Sequence, residues 1–232
     1  MDFLDLLWTH DLWQLLVTET NRQAENVKRV KPNNYVAKSF QEVTVEEMKA
    51  FLGCRISVEM QIDKTRYEQY RRSNGSWLTH TPGFGKVFTR DTFLPIWSML
   101  HCVDENDQNL DKTDKMYKNR PVVVNILDKF CNYYVLKCEL SLDEGMIPTK
   151  NQLSFKQYIK EKPIKWEIKS FILCKSKTGY IFNVEIYTGR VDIDTRFVET
   201  LGNPWLAGRL TRNSGFKGLA LYCSNYFNSE GD

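Results

Sequence analysis

What this chain lacks narrows its chemistry first. Its six cysteines, Cys54, Cys102, Cys131, Cys138, Cys174 and Cys223, include no CxxC pair, so the close spacing of a zinc site or a dithiol redox centre is missing. They read as reduced, buried thiols of the cytosol or nucleus. No apolar run approaches the ~20 residues of a membrane helix. Asp2 and Asp5 stand where a secretory signal would be basic. His10, His80 and His101 lie far apart with no carboxylate pattern joining them, and they read as structural. Gly83-Phe84-Gly85-Lys86 has neither the spacing nor the following Ser or Thr of a phosphate-binding loop, and no serine or cysteine nucleophile signature occurs. The net charge is only +3, so nucleic-acid binding has to be argued from local clustering. No compact cluster of five or more basic residues marks a nuclear signal.

What is present is a chain rich in core-forming residues. At 232 residues, 42% hydrophobic and 13% aromatic, it has material for one large or two small packed domains. Residues 1–60 read as helical, with Leu4, Leu7, Leu12, Leu15 and Leu16 at helical spacing. The polar stretch Gln23 to Lys38, broken at Pro32-Asn33-Asn34, reads as a loop. Thr44 and Glu47 form a capping box ahead of an apolar stripe of Met48, Phe51, Leu52 and Ile56. Between 61 and 137, Ser73-Asn74-Gly75-Ser76 and Thr81-Pro82-Gly83 read as turns. A helix is expected over Thr92 to Cys102 with Pro95 in its first turn, then a surface loop over Asp104 to Asn119. Pro121 opens a helix with Val123, Ile126, Leu127, Phe130 and Tyr134 on one face.

From 138 on the period changes to that of strands. Ile168 to Cys174 and Tyr180 to Tyr187 read as a pair joined by a hairpin turn at Ser176-Lys177-Thr178-Gly179. Phe182, Val184 and Ile186 alternate with Asn183 and Glu185, giving one buried and one polar face. Asp194 caps a short helix carrying Phe197, Val198 and Leu201, and Gly218 to Cys223 is a further apolar strand.

Two strand ends carry the chemistry. Leu140-Ser141-Leu142 reads as the end of a buried strand, followed by Asp143-Glu144. The strand at 219–223 ends on Ser224. Magnesium takes oxygen ligands, including one or two carboxylates, and phosphodiester cleavage with two such ions ~4 Å apart clamps the attacking and leaving oxygens. One strand end supplies an acid and the other does not. Read on spacing alone, an Asp-Glu-Gly after a strand is also what a turn looks like. Beyond it, Lys150, Lys156, Lys160, Lys162, Lys165, Lys169, Lys175 and Lys177 face only Glu161 and Glu167, and Phe155, Tyr158 and Trp166 are interleaved with them. Lysines attract phosphate and aromatic faces stack on unpaired bases. The competing reading is a solvated basic loop whose aromatics pack on the core.

The segments Ser141 to Pro148, Leu153 to Ile159 and Lys162 to Lys169 closely resemble the piggyBac transposase family, in its domesticated, transposable-element-derived branch. Weaker likenesses occur in the right order upstream: Phe3 to Leu7, Glu19-Thr20-Asn21-Arg22, Phe51-Leu52-Gly53, Phe88 to Phe93 and Leu100-His101-Cys102. The resemblance covers most of 3–189. It implies an α/β fold: a helical dimerisation and DNA-binding region, 1–137, followed by an incomplete RNase H-like mixed sheet, 138–232. It implies DNA and a second copy of the chain as partners, magnesium as cofactor, no small-molecule cofactor, and a nuclear location. Asp143 matches the first catalytic acid of the family. Ser224, in Tyr222 to Ser229, stands where the family has its second. The remaining acids and the cysteine-rich domain are expected beyond Asp232, and residues 190–216 depart from the family pattern.

A serine hydroxyl is a poor magnesium ligand beside a carboxylate. The expectation is a transposase-derived protein without catalytic activity, with its DNA-binding lysines at Lys150, Lys156, Lys160, Lys162, Lys165 and Lys169. The alternatives are a fragment of a longer DDE-type transposase and an interaction module that no longer binds DNA. A sheet ending at 219–223 is expected to leave an open edge and poor solubility.

Overall fold

The computed structural model describes residues 3–59, 84–134, 139–189 and 220–223. Two compact units divide the chain, Met1–Leu110 and Asp111–Asp232. The turns expected at 73–76 and 81–83, the Asp194-capped helix and Ser224 lie outside the described residues.

The first unit holds helices α1 (Phe3–Leu7), α2 (His10–Val30), α3 (Tyr35–Ser39), α4 (Val45–Glu59), α5 (Phe84–Val87) and α6 (Arg90–Met99). Thr9 caps α2 by accepting from the Leu12 N–H at 3.4 Å. Leu12, Trp13, Leu16, Val17, Thr20 and Ala24 then bury one stripe of it. The segment Gln23 to Val30, expected as loop, is the last third of this helix. It is polar because only Ala24 is buried there, and short-range pairs such as Arg29 Nη2 to Asn26 Oδ1, 3.0 Å, line its exposed face. Only residues 31–34 of that expected loop lie outside a helix: Asn34 caps α3, accepting from the Ala37 N–H at 3.0 Å, so Tyr35 to Lys38 are helical as well.

The capping box forms as read. The Thr44 N–H donates to Glu47 Oε2 at 2.9 Å and the Glu47 N–H donates to Thr44 Oγ1 at 3.2 Å. The stripe behind it is Met48, Phe51 and Cys54, not Ile56, which is exposed. Phe51 packs on Phe93 of α6 with ring centroids 4.7 Å apart. Helix α6 starts at Arg90, capped by Thr89, two residues before the expected start. Pro95 therefore stands in the second turn, where it has no N–H to return toward Asp91.

The Glu19-Thr20-Asn21-Arg22 motif is structural. Glu19 holds Arg22 through Oε1 and Oε2 at 2.9 and 2.8 Å, and Arg22 reaches Asp104 at 3.2 Å. Thr20 Oγ1 accepts the His101 N–H. Asn21 exchanges two hydrogen bonds with the backbone of Val43, at 2.9 and 3.0 Å. Burial pushes the Glu19 carboxyl above its ordinary value against the pull of Arg22. Burial also lifts the Cys102 thiol to about 11. The cysteines Cys54, Cys102, Cys131 and Cys174 are not in disulfides; only Cys54 is fully buried, and the other three are half-exposed.

The second unit sets helix α7 (Arg120–Tyr133) with β1 (Glu139–Pro148), β2 (Gln157–Tyr158), β3 (Trp166–Lys175), β4 (Ile181–Ile186) and β5 (Ala220–Cys223). Strand β3 lies antiparallel to β1 on one side and to β2 and β4 on the other. Strand β5 pairs parallel with the far edge of β1. The turn between β3 and β4 is closed by Gly179 at φ 69°, a conformation that favours glycine. Leu140, Leu142, Phe171, Leu173 and Phe182 form the core, with Cys131, Tyr134 and Tyr187 packed on it. Along β4 only Phe182 is fully buried; Val184 and Ile186 are half-exposed, after a register shift at Leu173/Cys174. Helix α7 packs against β4, so the compact unit takes in a helix that lies before position 138.

The start of α7 is clamped. Asp114 accepts from Arg120 Nε at 2.6 Å and Nη2 at 2.9 Å, and from the Met116 N–H at 2.9 Å. The Arg120 guanidinium holds the Asp114 carboxyl below the usual carboxylate range. A depressed folded value contributes stability above the ordinary pKa that is lost as pH falls through the folded one. Asp114→Asn is expected to cost on the order of 1 kcal/mol near neutral pH, given the partial exposure of both groups. Urea midpoints of the two proteins should converge in acid; a constant gap down to pH 2 to 3 (about the lower end for a paired carboxylate) would reject the clamp.

Candidate functional site

Strand β1 sets the site because its two faces do different work. Leu140 and Leu142 point into the core. By the two-residue period of a strand, Asp143 lies on the opposite face, where it is exposed. Asp143 is expected from the sequence just past a strand end; β1 instead continues to Pro148, held by β3 along its length to the pair Pro148↔Glu167. Asp143 is thus within a strand and not in a turn. On its other edge the last described register with β5 is Leu142↔Cys223. Asp143 follows Leu142 in the chain, and Ser224 follows Cys223.

Asp143 Oδ1 accepts the N–H of Glu144 at 2.7 Å. The neighbouring acid does not join it. Glu144 falls on the core face and forms an ion pair with Lys169 Nζ at 2.5 Å. Among the described residues no three His, Cys, Asp or Glu side chains converge, and one outward carboxylate is a poor fit to the paired-cation chemistry the resemblance implies.

Beside Asp143 the sheet is unusually close. A Cβ at Gly145 would stand 2.4 Å from Ile172 Cδ1 and 2.7 Å from Ser170 Oγ. The buried Ser170 hydroxyl donates to the Gly145 carbonyl at 2.9 Å, and Ile172 is the residue opposite Asp143. No property of the isolated sequence places Gly145 there; the β1/β3 register does.

The six lysines separate into two groups. Lys169 pairs with Glu144, and Lys162 Nζ donates to the buried Glu167 at 3.0 Å. Lys156 donates to the Asn151 carbonyl at 3.1 Å and lies over the Trp166 ring, 4.7 Å from its centroid. Lys150, Lys160 and Lys165 are exposed. Of the interleaved aromatics, Phe155 is core, while Tyr158 and Trp166 meet across β2 and β3 with centroids 5.0 Å apart.

Antiparallel β1, β3 and β4, with β5 added parallel beside β1 and an acid next after their last described pair, define an RNase H-like sheet preceded by a helical unit, the fold of a DNA transposase. The chain belongs to the family described as Transposase IS4, whose model matches residues 1–231. It is similar to the human PiggyBac transposable element-derived protein 3, 30% identical over 149 residues, which is 64% of this chain and 24% of that protein. The same identity over 149 residues relates it to the human Chimeric ERCC6-PGBD3 protein, covering 13% of that protein. The chain thus spans about a quarter or less of the curated relatives it matches. A cryo-EM structure of a piggyBac transposase synaptic complex with hairpin DNA shares the fold, with a TM-score of 0.80 and 21% identity over 97% of this chain and 45% of that one. Transposases of the DDE type typically use a divalent metal. Among the described residues no helix is long and apolar enough to cross a membrane.

Proposed function

We propose that this chain is a transposase-derived DNA-binding protein that does not cut or join DNA. The observation that carries the reading is the pairing of Leu142 with Cys223. It brings two strands side by side, one followed by Asp143 and the other by Ser224. A hydroxyl in place of a carboxylate removes a negative ligand from the set. Glu144, turned inward onto Lys169, is not a substitute. DNA binding is supported by the exposed Lys150, Lys160 and Lys165, and by the likeness to a transposase whose structure is a complex with hairpin DNA.

The test has two arms. Incubated with supercoiled plasmid and magnesium, the chain is expected to leave the plasmid intact. Magnesium-dependent nicking that disappears in Asp143→Ala would overturn the inactive reading. In the second arm, binding to duplex DNA should weaken steeply with salt. Changing Lys150, Lys160 and Lys165 together to Ala should flatten the log–log slope by roughly 3, about one phosphate contact each. Weak binding with a flat salt dependence in the unsubstituted chain would instead indicate an interaction module.

A further inference from the structure

We infer that Tyr158 and Trp166 form a stacking station for an unpaired base of a DNA strand. This rests on the DNA-binding reading above and says which form of DNA the sheet holds. Both rings are well exposed, Tyr158 at 52% and Trp166 at 44%, although aromatic side chains of this size ordinarily bury most of their surface in a core. They sit directly opposite each other in the β2/β3 register, so their side chains leave the same face of the sheet. Glu167, next to Trp166 on β3, is buried on the opposite face, and Gln157, next to Tyr158 on β2, is half-buried. The pair is therefore held outward by strand geometry.

The ring planes meet at 59°. They do not stack on each other, so each keeps π-surface to offer. Lys156 Nζ stands 4.7 Å from the Trp166 centroid, and exposed Lys160 and Lys165 lie in the connection between the two strands, with Lys150 before it. Aromatic faces ringed by lysines are what a single strand requires: every base has a π-face, and its phosphates need cations alongside. A duplex keeps its bases stacked on one another and cannot use the rings in this way. Trp166 also shares its sheet face with Ile172, the partner of Asp143, six residues along β3 and so about 20 Å away. A strand lying on the rings would run along the face that carries Asp143.

The experiment compares three labelled ligands on the 232-residue chain: oligothymidylate, an abasic strand of equal length, and duplex. Trp166→Leu and Tyr158→Leu are each expected to weaken oligothymidylate binding roughly tenfold, the size of one lost stacking contact. Binding to the abasic strand and to duplex should change less than about twofold, because those phosphates remain served by the lysines. If both variants weaken all three ligands equally, or weaken none, the pair is only a cross-strand packing contact and the proposal fails. Should Trp166→Leu not fold, Tyr158→Leu on the short edge strand decides the matter alone. An unsubstituted chain that binds duplex but does not prefer oligothymidylate to the abasic strand overturns the stacking station and leaves the DNA reading intact. One that binds no DNA overturns both.

Discussion

Leu142→Ala is expected to lower the unfolding free energy of the sheet unit by about 2–5 kcal/mol, the range for deleting a buried leucine side chain. Leu142 is 1% exposed and packs with Leu140, Phe171, Leu173 and Phe182. Its backbone, like those of Leu140 and Ser141, is also paired on both sides, to Leu173 of β3 and to Cys223 of β5. A cavity there loses both transfer energy and dispersion contacts, and the strands around it cannot collapse without disturbing two ladders. Typical domains hold only ~5–15 kcal/mol in total, so the loss is a large share. The proper control is Ile147→Ala on the same strand. Ile147 is 47% exposed, and its truncation should fall within roughly 0.5 kcal/mol of the unsubstituted chain. Urea midpoints measure both. Equal shifts for the two would mean that the Leu142 side chain is not in the core. The functional consequence is specific as well, because the residue after Leu142 is Asp143. Softening this point should disorder the candidate site before the rest of the sheet.

Signals carried by short-range chemistry could be read directly from the residues. The Thr44/Glu47 box, the Asn34 break and the turn ending at Gly179 each need only three or four consecutive residues, and each formed where it was expected. The apolar pair Leu140 and Leu142 marked a buried face correctly. What escaped depends on pairing at a distance. The end of α2 carries almost no apolar period because most of it faces solvent, so it resembled a loop. The basic segment looked like eight equivalent lysines. The β1/β3 register turns Lys169 onto Glu144, and the turn before β3 folds Lys162 back onto Glu167. Likewise the sequence alone ends β1 at Leu142, because its polar continuation, Asp143-Glu144-Gly145, is strand only by virtue of β3 beside it. The site residue was legible as a residue type; its place within a strand, next after the last described pair with β5, was not.

That continuation leads to the second large effect, at Gly145. Replacing it with alanine should cost about 1–3 kcal/mol, the usual penalty for forcing a methyl into a closed space. The new Cβ would lie 2.4 Å from Ile172 Cδ1 and 2.7 Å from Ser170 Oγ, both far inside van der Waals contact. Ile172 can yield by turning its terminal methyl. Ser170 has less freedom: it is 1% exposed and its hydroxyl is committed to the Gly145 carbonyl at 2.9 Å. Turning it away strands a buried hydroxyl, itself worth roughly 1–3 kcal/mol. The two obstacles can be separated by a double-mutant cycle. Ile172→Val deletes Cδ1, so the pair Gly145→Ala with Ile172→Val should be more stable than the sum of the single losses by at least about 0.5 kcal/mol. A strictly additive cycle would show that Ile172 is not the wall, leaving Ser170 as the whole of the obstruction. Because Ile172 is also the residue opposite Asp143, the same substitution should move the carboxylate. The glycine between the site and the basic segment is therefore a steric requirement of close-packed strands, and its replacement should disturb stability and site geometry together.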